Sequence, residues 1–402
     1  MKGRAEPSGT PTIAIVVGEE SGDMLGAGLI DAIRNIQPGA KFIGVAGERM
    51  AARGVESIFP VSEVAVMGIS AVIVRLPGII RRVRQTVEAL VAAKPDILVI
   101  IDSPGFTHSV AKRVAKRLPG LPIADYVSPS VWAWKPWRAK QMARFIDHVL
   151  ALLPFEPEVH RRLGGPPCTY VGHPLIEKRA LRPEKPESRK KIKTPPVLVV
   201  LPGSRHSEIS RLMEPFGQAL GLVRERFPDL EVILPVVGHL RETIAREAEG
   251  WTVKPRIVDG EEAKYAAFRQ ADVALAASGT VTLELALAQV PMVVAYRVEW
   301  IGRVFRPLLK VSSIVLANLV IGRNVVPEFL NGESDPETLA DHVVRLLESG
   351  PERRDQLEGF RLLDEKMRLP DGQAPSEKAA GIVIGLLTSG KSGDQVRLDS
   401  GT

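Results

Sequence analysis

The sequence predicts an α/β protein built from two similar halves, each a parallel sheet with helices on both faces. Short runs of aliphatic and β-branched residues alternate with amphipathic helical segments, which is typical of parallel strands buried on both faces. A charged, proline-rich stretch over residues 176–196 interrupts this alternation, and the alternation then restarts. The length of 402 residues is enough for two or three domains.

The first half alternates strands with helices up to about residue 153. We expect strands at 13–17, 42–45, 97–101, 123–127 and 148–153, and helices at 26–36 and 83–93. Residues 176–196 are interpreted as a solvated linker at a domain boundary, and a charged surface helix inside one domain is the alternative.

The second half repeats the pattern. Strands are expected at 197–201, 232–236, 273–276 and 292–296, with helices at 207–227 and 280–288. Two such halves joined by a linker place a cleft between them, which is the default position for a binding site.

Composition excludes several classes of protein. The net charge of +6 and pI of about 9.4 suit an anionic small molecule or an anionic membrane surface. Since no nucleic-acid-binding motif accompanies the charge, no nucleic-acid partner is expected. Cys168 is the single cysteine, so a disulfide framework is excluded and a reducing compartment fits. No apolar run approaches the roughly 18–20 residues of a membrane span, and we expect a soluble or peripheral protein.

Two strand-to-helix turns in the second half are candidates for phosphate binding. In residues 201–208, Gly203 and Ser204 form the turn and Arg205 supplies a fork of donors. In residues 276–287, the turn is Ser278-Gly279-Thr280, and Glu284 lies one helical turn further on, placed for ribose hydroxyls. The alternatives are an ordinary turn with a surface arginine, and an N-cap serine with a solvated glutamate.

The first half carries a carboxylate at the end of a buried strand. Asp102 follows the 97–101 run, and it is either a catalytic base or a cap on the next helix. Before it, the glycine-rich segment 18–28 is either a plain turn or a ligand loop. The tryptophan-rich segment 127–138 suits a sugar or acyl contact or core filling. Apolar residues and arginines over 64–85 suit an anionic membrane interface, and a buried helix is the rival interpretation.

The histidines do not predict a metal site. His173 and His206 are far apart in the sequence and no metal-ligand spacing is present. We therefore expect no metal and no cofactor, and interpret His108 as structural.

Taken together, the motifs resemble the lipid-A-disaccharide synthase family of bacterial glycosyltransferases. The resemblance covers residues 13–383, and only the charged linker departs strongly. It is carried by ten stretches: GEESGDMLGAGLI, VAVMGI, KPDILVIIDSP, YVSPSVWAWKPWR, LPFEPEVH, YVGHPL, LPGSR, ASGTVTLELAL, PMVVAYR and NVVPEFL.

This resemblance implies a GT-B fold, two Rossmann-like domains facing across a cleft. It implies an N-terminal acceptor- and membrane-binding domain over 1–185, a UDP-sugar-binding domain over 195–354, and a helix at about 355–387 that packs back on the first domain. The glycine, serine and aspartate content of the last residues predicts a disordered tail over 388–402. The implied reaction joins UDP-2,3-diacylglucosamine to 2,3-diacylglucosamine 1-phosphate (lipid X), inverts the anomeric centre, forms a β-1,6 linkage and releases UDP. The implied location is the cytoplasmic face of the inner membrane, and a homodimer is among the oligomeric states left open.

The resemblance also assigns residues. Asp102 would be the catalytic base. The residues that would hold UDP are Gly203, Ser204, Arg205, Ser278, Gly279, Thr280, Glu284 and Asn318. Those expected on the acceptor and acyl side are Glu19, Ser21, Gly22, Asp23, Met67, Ser128, Trp132 and Trp134.

The chain departs from the family pattern at three positions. Gly105 stands where a second aspartate is usual, and Ser109 and Lys135 stand where arginine is frequent. Two other functions stay open at this point: a UDP-sugar epimerase of the same fold, and a non-catalytic nucleotide-binding protein.

Overall fold

Two parallel sheets organise the computed structural model, which describes residues 10–65, 69–183, 191–297, 313–330, 334–370 and 372–398. The chain divides into two units, Met1–Pro174 with Leu369–Thr402, and Leu175–Arg368.

The described residues of the first unit form a six-stranded parallel sheet in the order β2-β1-β3-β4-β5-β6. Its strands are β1 (Thr12–Val17), β2 (Lys41–Val45), β3 (Ile97–Ile101), β4 (Ile123–Tyr126), β5 (His148–Ala151) and β6 (Cys168–Tyr170). Its helices before residue 174 are α1 (Glu20–Ile36), α2 (Glu48–Ala51), α3 (Ile69–Ala93), α4 (Thr107–Arg117), α5 (Trp137–Met142) and α6 (Glu156–Leu163).

Strand β3 shows why these runs become central strands. All five of its side chains are fully buried. Because successive strand residues point to opposite faces, Val99 packs into a core layer with α1, and Ile100 packs into the other layer with α3 and α4. A continuous apolar run therefore fits only a sheet that is covered on both sides.

The described residues of the second unit form another six-stranded parallel sheet, in the order β12-β11-β10-β7-β8-β9. Its strands are β7 (Val197–Leu201), β8 (Glu231–Val236), β9 (Arg256–Asp259), β10 (Val273–Ala277), β11 (Met292–Tyr296) and β12 (Glu328–Leu330). Its helices are α7 (His206–Arg226), α8 (Arg241–Ala248), α9 (Glu261–Gln270), α10 (Val281–Leu287), α11 (Leu316–Ile321), α12 (Pro336–Leu347) and α13 (Pro351–Met367).

The predicted α/β class is confirmed, and all nine strands expected from the sequence are present. The strands that the sequence did not reveal are β6, β9 and β12. Each has only three or four residues and lies at the edge of its sheet. Their side chains are half-buried or exposed, so they lack the continuous apolar run that marks a central strand.

The start of the charged stretch packs within the second unit and is not a solvated linker. Within the second unit, Leu175 and Leu181 are buried, and Lys178 forms an ion pair with Glu261 of α9 (2.6 Å). The few apolar residues among many charges are sufficient to hold residues 175–183 against this unit. Residues 184–190 lie outside the described part.

The C-terminal segment consists of two helices where the sequence predicted one. Helix α13 packs in the second unit through Phe360 and Leu363. Pro370 and Gly372 follow it, and α14 (Pro375–Leu398) then contributes buried Ala379 and Val383 to the core of the first unit. The structure gives α14 up to Leu398, within the segment expected to be a disordered tail.

Among the described residues, no helix combines the length and the apolar character that crossing a membrane requires.

Candidate functional site

Asp102 lies at the carboxyl end of β3 in a strained backbone conformation. Its φ of +54° and the φ of +44° at Ser103 are both left-handed, and such conformations in non-glycine residues concentrate at functional sites. The backbone N–H of Ser103 donates to Asp102 Oδ1 (2.7 Å). Helix α4 begins at Thr107 with Phe106 as its N-cap, so Asp102 does not cap that helix.

The structure brings Glu19 and Ser21 to Asp102. The Ser21 hydroxyl lies 2.7 Å from Glu19 Oε1 and 3.3 Å from Asp102 Oδ2. Both residues come from the turn that starts α1. Because a hydroxyl has one hydrogen, the shorter contact directs it to Glu19, and the Ser21 oxygen then faces Asp102 Oδ2. This arrangement leaves Oδ2 as the carboxylate oxygen available to a substrate.

Gly22 and Asp23 both make contacts that support the fold. A Cβ atom at Gly22 would lie 3.2 Å from the Ile101 carbonyl oxygen, so glycine permits α1 to pack closely on β3. Asp23 is 2% exposed, and its carboxylate accepts the backbone N–H groups of Gly47, Arg49 and Met50 (2.8–3.1 Å) at the start of α2. These contacts give Asp23 a role in the fold, and its expected place on the acceptor side stays a prediction.

The tryptophan-rich segment is partly core. Ser128 is buried, donates to the Pro129 carbonyl oxygen (3.0 Å) and lies 2.8 Å from His160 Nε2. The indole N–H of Trp132 donates to Glu156 Oε1 (3.3 Å). These contacts bind Ser128 and Trp132 to α6, so we assign both to packing. Their expected place on the acceptor side stays a prediction.

The remaining tryptophans of the segment are more accessible. Trp134 is half-buried, with Lys135 Nζ 5.0 Å above its ring, and Lys135 has a left-handed φ of +53°. Trp137, at the start of α5, is 57% exposed. An exposed indole and a cation beside another suit contact with a sugar or an acyl chain. Met67, the other residue expected on this side, lies outside the described residues.

Burial sets the protonation of the groups beneath this segment. Burial raises the pKa of Glu156 to about 8, against hydrogen bonds from Leu153 and Trp132 that lower it. Burial lowers the pKa of His160, and it lowers the pKa of His173 to about 4. These groups are therefore neutral near pH 7, as expected of interior residues. The sequence offered no signal that would have singled out Glu156.

A pocket of about 570 Å³ lies at the carboxyl ends of the second unit's strands. It gathers seven of the eight residues expected to hold UDP: Gly203, Ser204, Arg205, Ser278, Gly279, Thr280 and Glu284. Parallel strands end at the same edge of a sheet, which explains why two turns distant in sequence share one pocket.

The first turn of this pocket is organised by Glu208, which the sequence reading missed. Its Oε2 accepts the Ser204 N–H (2.9 Å) and its Oε1 accepts from the Arg205 guanidinium (2.8 Å). Gly203 has φ +120°, and a Cβ atom there would lie 2.4 Å from Glu208 Oε2. The signal that could have revealed Glu208 is its position in the first turn of α7, where a glutamate reaches back to preceding N–H groups.

The second turn, Ser278-Gly279-Thr280, does not have the N-cap serine and solvated glutamate of the alternative interpretation. Ser278 does not cap α10, because its hydroxyl donates to the Ile314 carbonyl oxygen (2.8 Å). Glu284 is only 9% exposed and pairs with Lys264 of α9. A pocket-lining carboxylate is thus retained next to the Gly279 turn, and Lys264 is a second residue that the sequence reading missed.

Asn318 lies apart from the pocket lining and is structural. It is 1% exposed, its Oδ1 accepts the N–H groups of Val325 and Val326, and its Nδ2 donates to the Val326 carbonyl oxygen and to Ser313. These hydrogen bonds join α11 to the segment that follows it, and the expected UDP contact stays a prediction. Among the described residues, no group of three or more His, Cys, Asp or Glu is arranged to hold a metal ion.

Comparisons with known proteins agree with this architecture. The sequence model of the family described as Lipid-A-disaccharide synthetase matches residues 13–380. The Lipid-A-disaccharide synthase of Rhodopseudomonas palustris (strain HaA2) is 52% identical over 379 residues, covering 93% of this chain and 95% of that protein.

Two solved structures share the fold at low sequence identity. The UDP-GlcNAc 2-epimerase from Neisseria meningitidis bound to UDP-GlcNAc has a TM-score of 0.58 at 11% identity, and the glycotransferase of kitacinnamycin has 0.57 at 18%. Each comparison covers 94% of this chain and 100% of the other. With two six-stranded parallel sheets, the fold is of the GT-B type.

Proposed function

The chain belongs to the lipid-A-disaccharide synthase family, and from this we propose that it transfers 2,3-diacylglucosamine from UDP-2,3-diacylglucosamine to 2,3-diacylglucosamine 1-phosphate (lipid X). The product would be the β-1,6-linked disaccharide 1-phosphate, formed with inversion at the anomeric carbon, and the second product would be UDP. The observation that carries the proposal is the pocket that joins Arg205, both glycine turns and Glu284.

The pocket matches the chemistry of a nucleoside diphosphate. Backbone N–H groups at glycine turns and an arginine fork are donors suited to phosphate oxygens. A carboxylate is an acceptor suited to ribose hydroxyls. In the proposed complex, the diphosphate lies against the turns at Gly203 and Gly279 and against Arg205, and the ribose hydroxyls donate to Glu284. The UDP-GlcNAc in the epimerase structure supports only that this fold can bind such a nucleotide sugar.

Asp102 is proposed as the general base. The acceptor's 6-hydroxyl transfers its proton to Asp102 Oδ2 as its oxygen forms a bond to the donor's anomeric carbon. The bond from that carbon to the diphosphate oxygen breaks, and the electron pair leaves with UDP. Support comes from the placement of Oδ2, because Oδ1 is held by Ser103 while Oδ2 faces the Ser21 hydroxyl at 3.3 Å in the described part of the chain. A carboxylate positioned in this way is a suitable base.

The leaving group needs cationic stabilisation as charge develops on it. Arg205 is proposed to supply this charge, assisted by the N-terminal end of α7, which carries a partial positive charge. The Arg205 side chain is 57% exposed while it remains paired with Glu208 at 2.8 Å. The arginine therefore keeps further N–H donors for a phosphate.

Helix α3 is proposed to touch the inner membrane from the cytoplasmic side. Leu76 and Ile80 are exposed, at 47% and 41%, and Arg81 and Arg84 are exposed near them. Apolar side chains beside arginines suit the surface of an anionic bilayer. Arg82 is engaged differently, since it pairs with Glu63 and lies 4.9 Å over the ring of Phe59. Trp134 and Trp137 are proposed to line the path of the acyl chains.

The test is whether UDP release depends on the acceptor. Purified protein is incubated with UDP-2,3-diacylglucosamine, with and without lipid X, and UDP is quantified together with the lipid products. The proposal expects equal amounts of UDP and disaccharide, and only in the presence of lipid X. A changed UDP-sugar without acceptor would indicate an epimerase, UDP without disaccharide would indicate hydrolysis, and no product at all would indicate a nucleotide-binding protein. Each of these three outcomes refutes the proposal.

A further inference from the structure

The pocket of the second unit contains a cation that no motif of the sequence singled out. Lys264 of α9 places its Nζ 2.9 Å from Oε1 and 2.8 Å from Oε2 of Glu284 on α10. We propose that Lys264 is a positioning residue that holds the Glu284 carboxylate for the donor's ribose hydroxyls and so determines how strongly the site distinguishes ribose. This inference rests on the proposed donor site and adds a residue that acts through Glu284.

The geometry fixes the carboxylate rather than merely neutralising it. One ammonium group shared between both oxygens holds the carboxylate plane in place, and each oxygen keeps lone-pair capacity for another donor. Both residues line the same pocket, and their side chains are 27% and 11% exposed, for Lys264 and Glu284 respectively. A vicinal diol that approaches Glu284 would therefore meet an acceptor that is already oriented.

The surroundings of Lys264 direct it to Glu284. The nearby carboxylate of Glu261, on the same helix, pairs with Lys178 at 2.6 Å. The ring of the buried Tyr265 lies 5.0 Å from Lys264 Nζ. Burial, with help from Glu284 and Glu261, raises the pKa of Tyr265, so the phenol stays neutral and does not compete as an anion. Glu284 is thus the carboxylate that Lys264 contacts through both oxygens.

Loss of this lysine would leave a carboxylate that is 9% exposed without its cation. A charge buried in this way gains by turning toward water or toward another donor. The ribose hydroxyls would then lose a charged hydrogen-bond acceptor, whereas the contacts to the uracil and the diphosphate would remain. The expected signature is selective loss of the ribose contribution.

The experiment measures the affinity of the full-length protein for UDP and for 2′,3′-dideoxy-UDP by calorimetry. Wild type is expected to favour UDP by roughly 10–100-fold, the range for a hydrogen bond to a charged group. Lys264→Met should reduce this preference to within about 3-fold, mostly by weakening UDP. Lys264→Arg should retain most of it, because a guanidinium also pairs with both carboxylate oxygens. Lys254→Met, at an exposed lysine outside the pocket, is the matched control and should behave as wild type.

The inference is overturned if Lys264→Met weakens both ligands by the same factor and keeps the preference for UDP. That pattern would mean that Lys264 contacts the diphosphate or only supports the fold. If Lys264→Met does not fold, the Lys264→Arg variant tests the inference. A Lys264→Arg protein that keeps the wild-type melting temperature but loses the preference for UDP would contradict it. Failure of the proposed donor site looks different, because wild type would not bind UDP, or Glu284→Gln would keep the full preference.

Discussion

Replacement of Asp102 by asparagine is the substitution that separates catalysis from binding. Asparagine keeps the size of the side chain and an oxygen that can accept the Ser103 N–H. In the wild-type protein the Ser103 nitrogen lies 2.7 Å from Asp102 Oδ1. It removes the oxygen that can take a proton, which in wild type faces Ser21 at 3.3 Å. The variant should therefore fold normally and lose the base.

The magnitude follows from the loss of that single step. A positioned general base contributes about 10²–10⁴-fold, which corresponds to roughly 3–5 kcal/mol of activation free energy. Binding of UDP should be unchanged, because the residues proposed to hold UDP belong to the second unit and Asp102 belongs to the first.

The assay is single-turnover transfer to lipid X with the donor saturating, together with calorimetric binding of UDP. Asp31→Asn is the matched control, since Asp31 is an exposed aspartate on α1 that pairs with Arg53 and should leave the rate unchanged. A rate for Asp102→Asn within about 3-fold of wild type would refute the assignment of the base. An equal loss in UDP affinity and rate would also refute it.

Three further changes and one pH dependence follow from the structure. Burial raises the pKa of Glu156 to about 8 in the folded protein. The protonated Glu156 therefore contributes its full stability below the unfolded pKa of about 4.5, and this contribution is lost as the pH rises through 8. The melting temperature of Glu156→Gln relative to wild type should thus increase from pH 5 to pH 8.5. Asp23→Ala leaves three N–H groups without their acceptor, and the one of Met50 is buried. This change should lower the free energy of unfolding in urea by about 1–3 kcal/mol, with no change in KM for lipid X. Gly105→Asp places its Cβ in open space, so it should change the free energy of unfolding by less than about 0.5 kcal/mol and raise the turnover rate. A lower rate would show that the second carboxylate of the family pattern does not assist catalysis in this chain. The double variant Arg81→Gln, Arg84→Gln should bind vesicles that contain anionic lipid about 30-fold more weakly in a sedimentation assay, at about 1 kcal/mol for each charge. Unchanged binding would contradict the proposed contact between α3 and the membrane.

The central strands could be predicted from the sequence because their signal is local. A run such as residues 97–101 is apolar throughout, and only a doubly covered parallel strand buries such a run. The edge strand β9 could not be predicted, because its pairing with β8 is specified by distant residues while its own side chains are half exposed. Pro370 and Gly372 mark the break between α13 and α14 in the sequence, but only tertiary packing assigns the two helices to different units.

The pocket residues could be predicted where they belong to strand-to-helix turns. Glycine, serine and arginine after a strand mark a turn with exposed donors, and seven of the eight expected residues share one pocket. Asn318 illustrates the limit, because a buried amide that hydrogen-bonds to nearby backbone groups looks the same in the sequence as one that binds a ligand. Lys264 was missed because its partner Glu284 becomes a neighbour only after the chain has folded. Glu208 was missed although its partners Ser204 and Arg205 lie close to it in the sequence.

The structure of the transfer product tests the central claim most directly. Purified protein is incubated with UDP-2,3-diacylglucosamine and lipid X, and the product is analysed by mass spectrometry and NMR. The account predicts one UDP released for each disaccharide 1-phosphate formed, with a β-configured bond from the donor's anomeric carbon to oxygen 6 of the acceptor. An α-configured bond, a different acceptor hydroxyl, or UDP released without a disaccharide would contradict it.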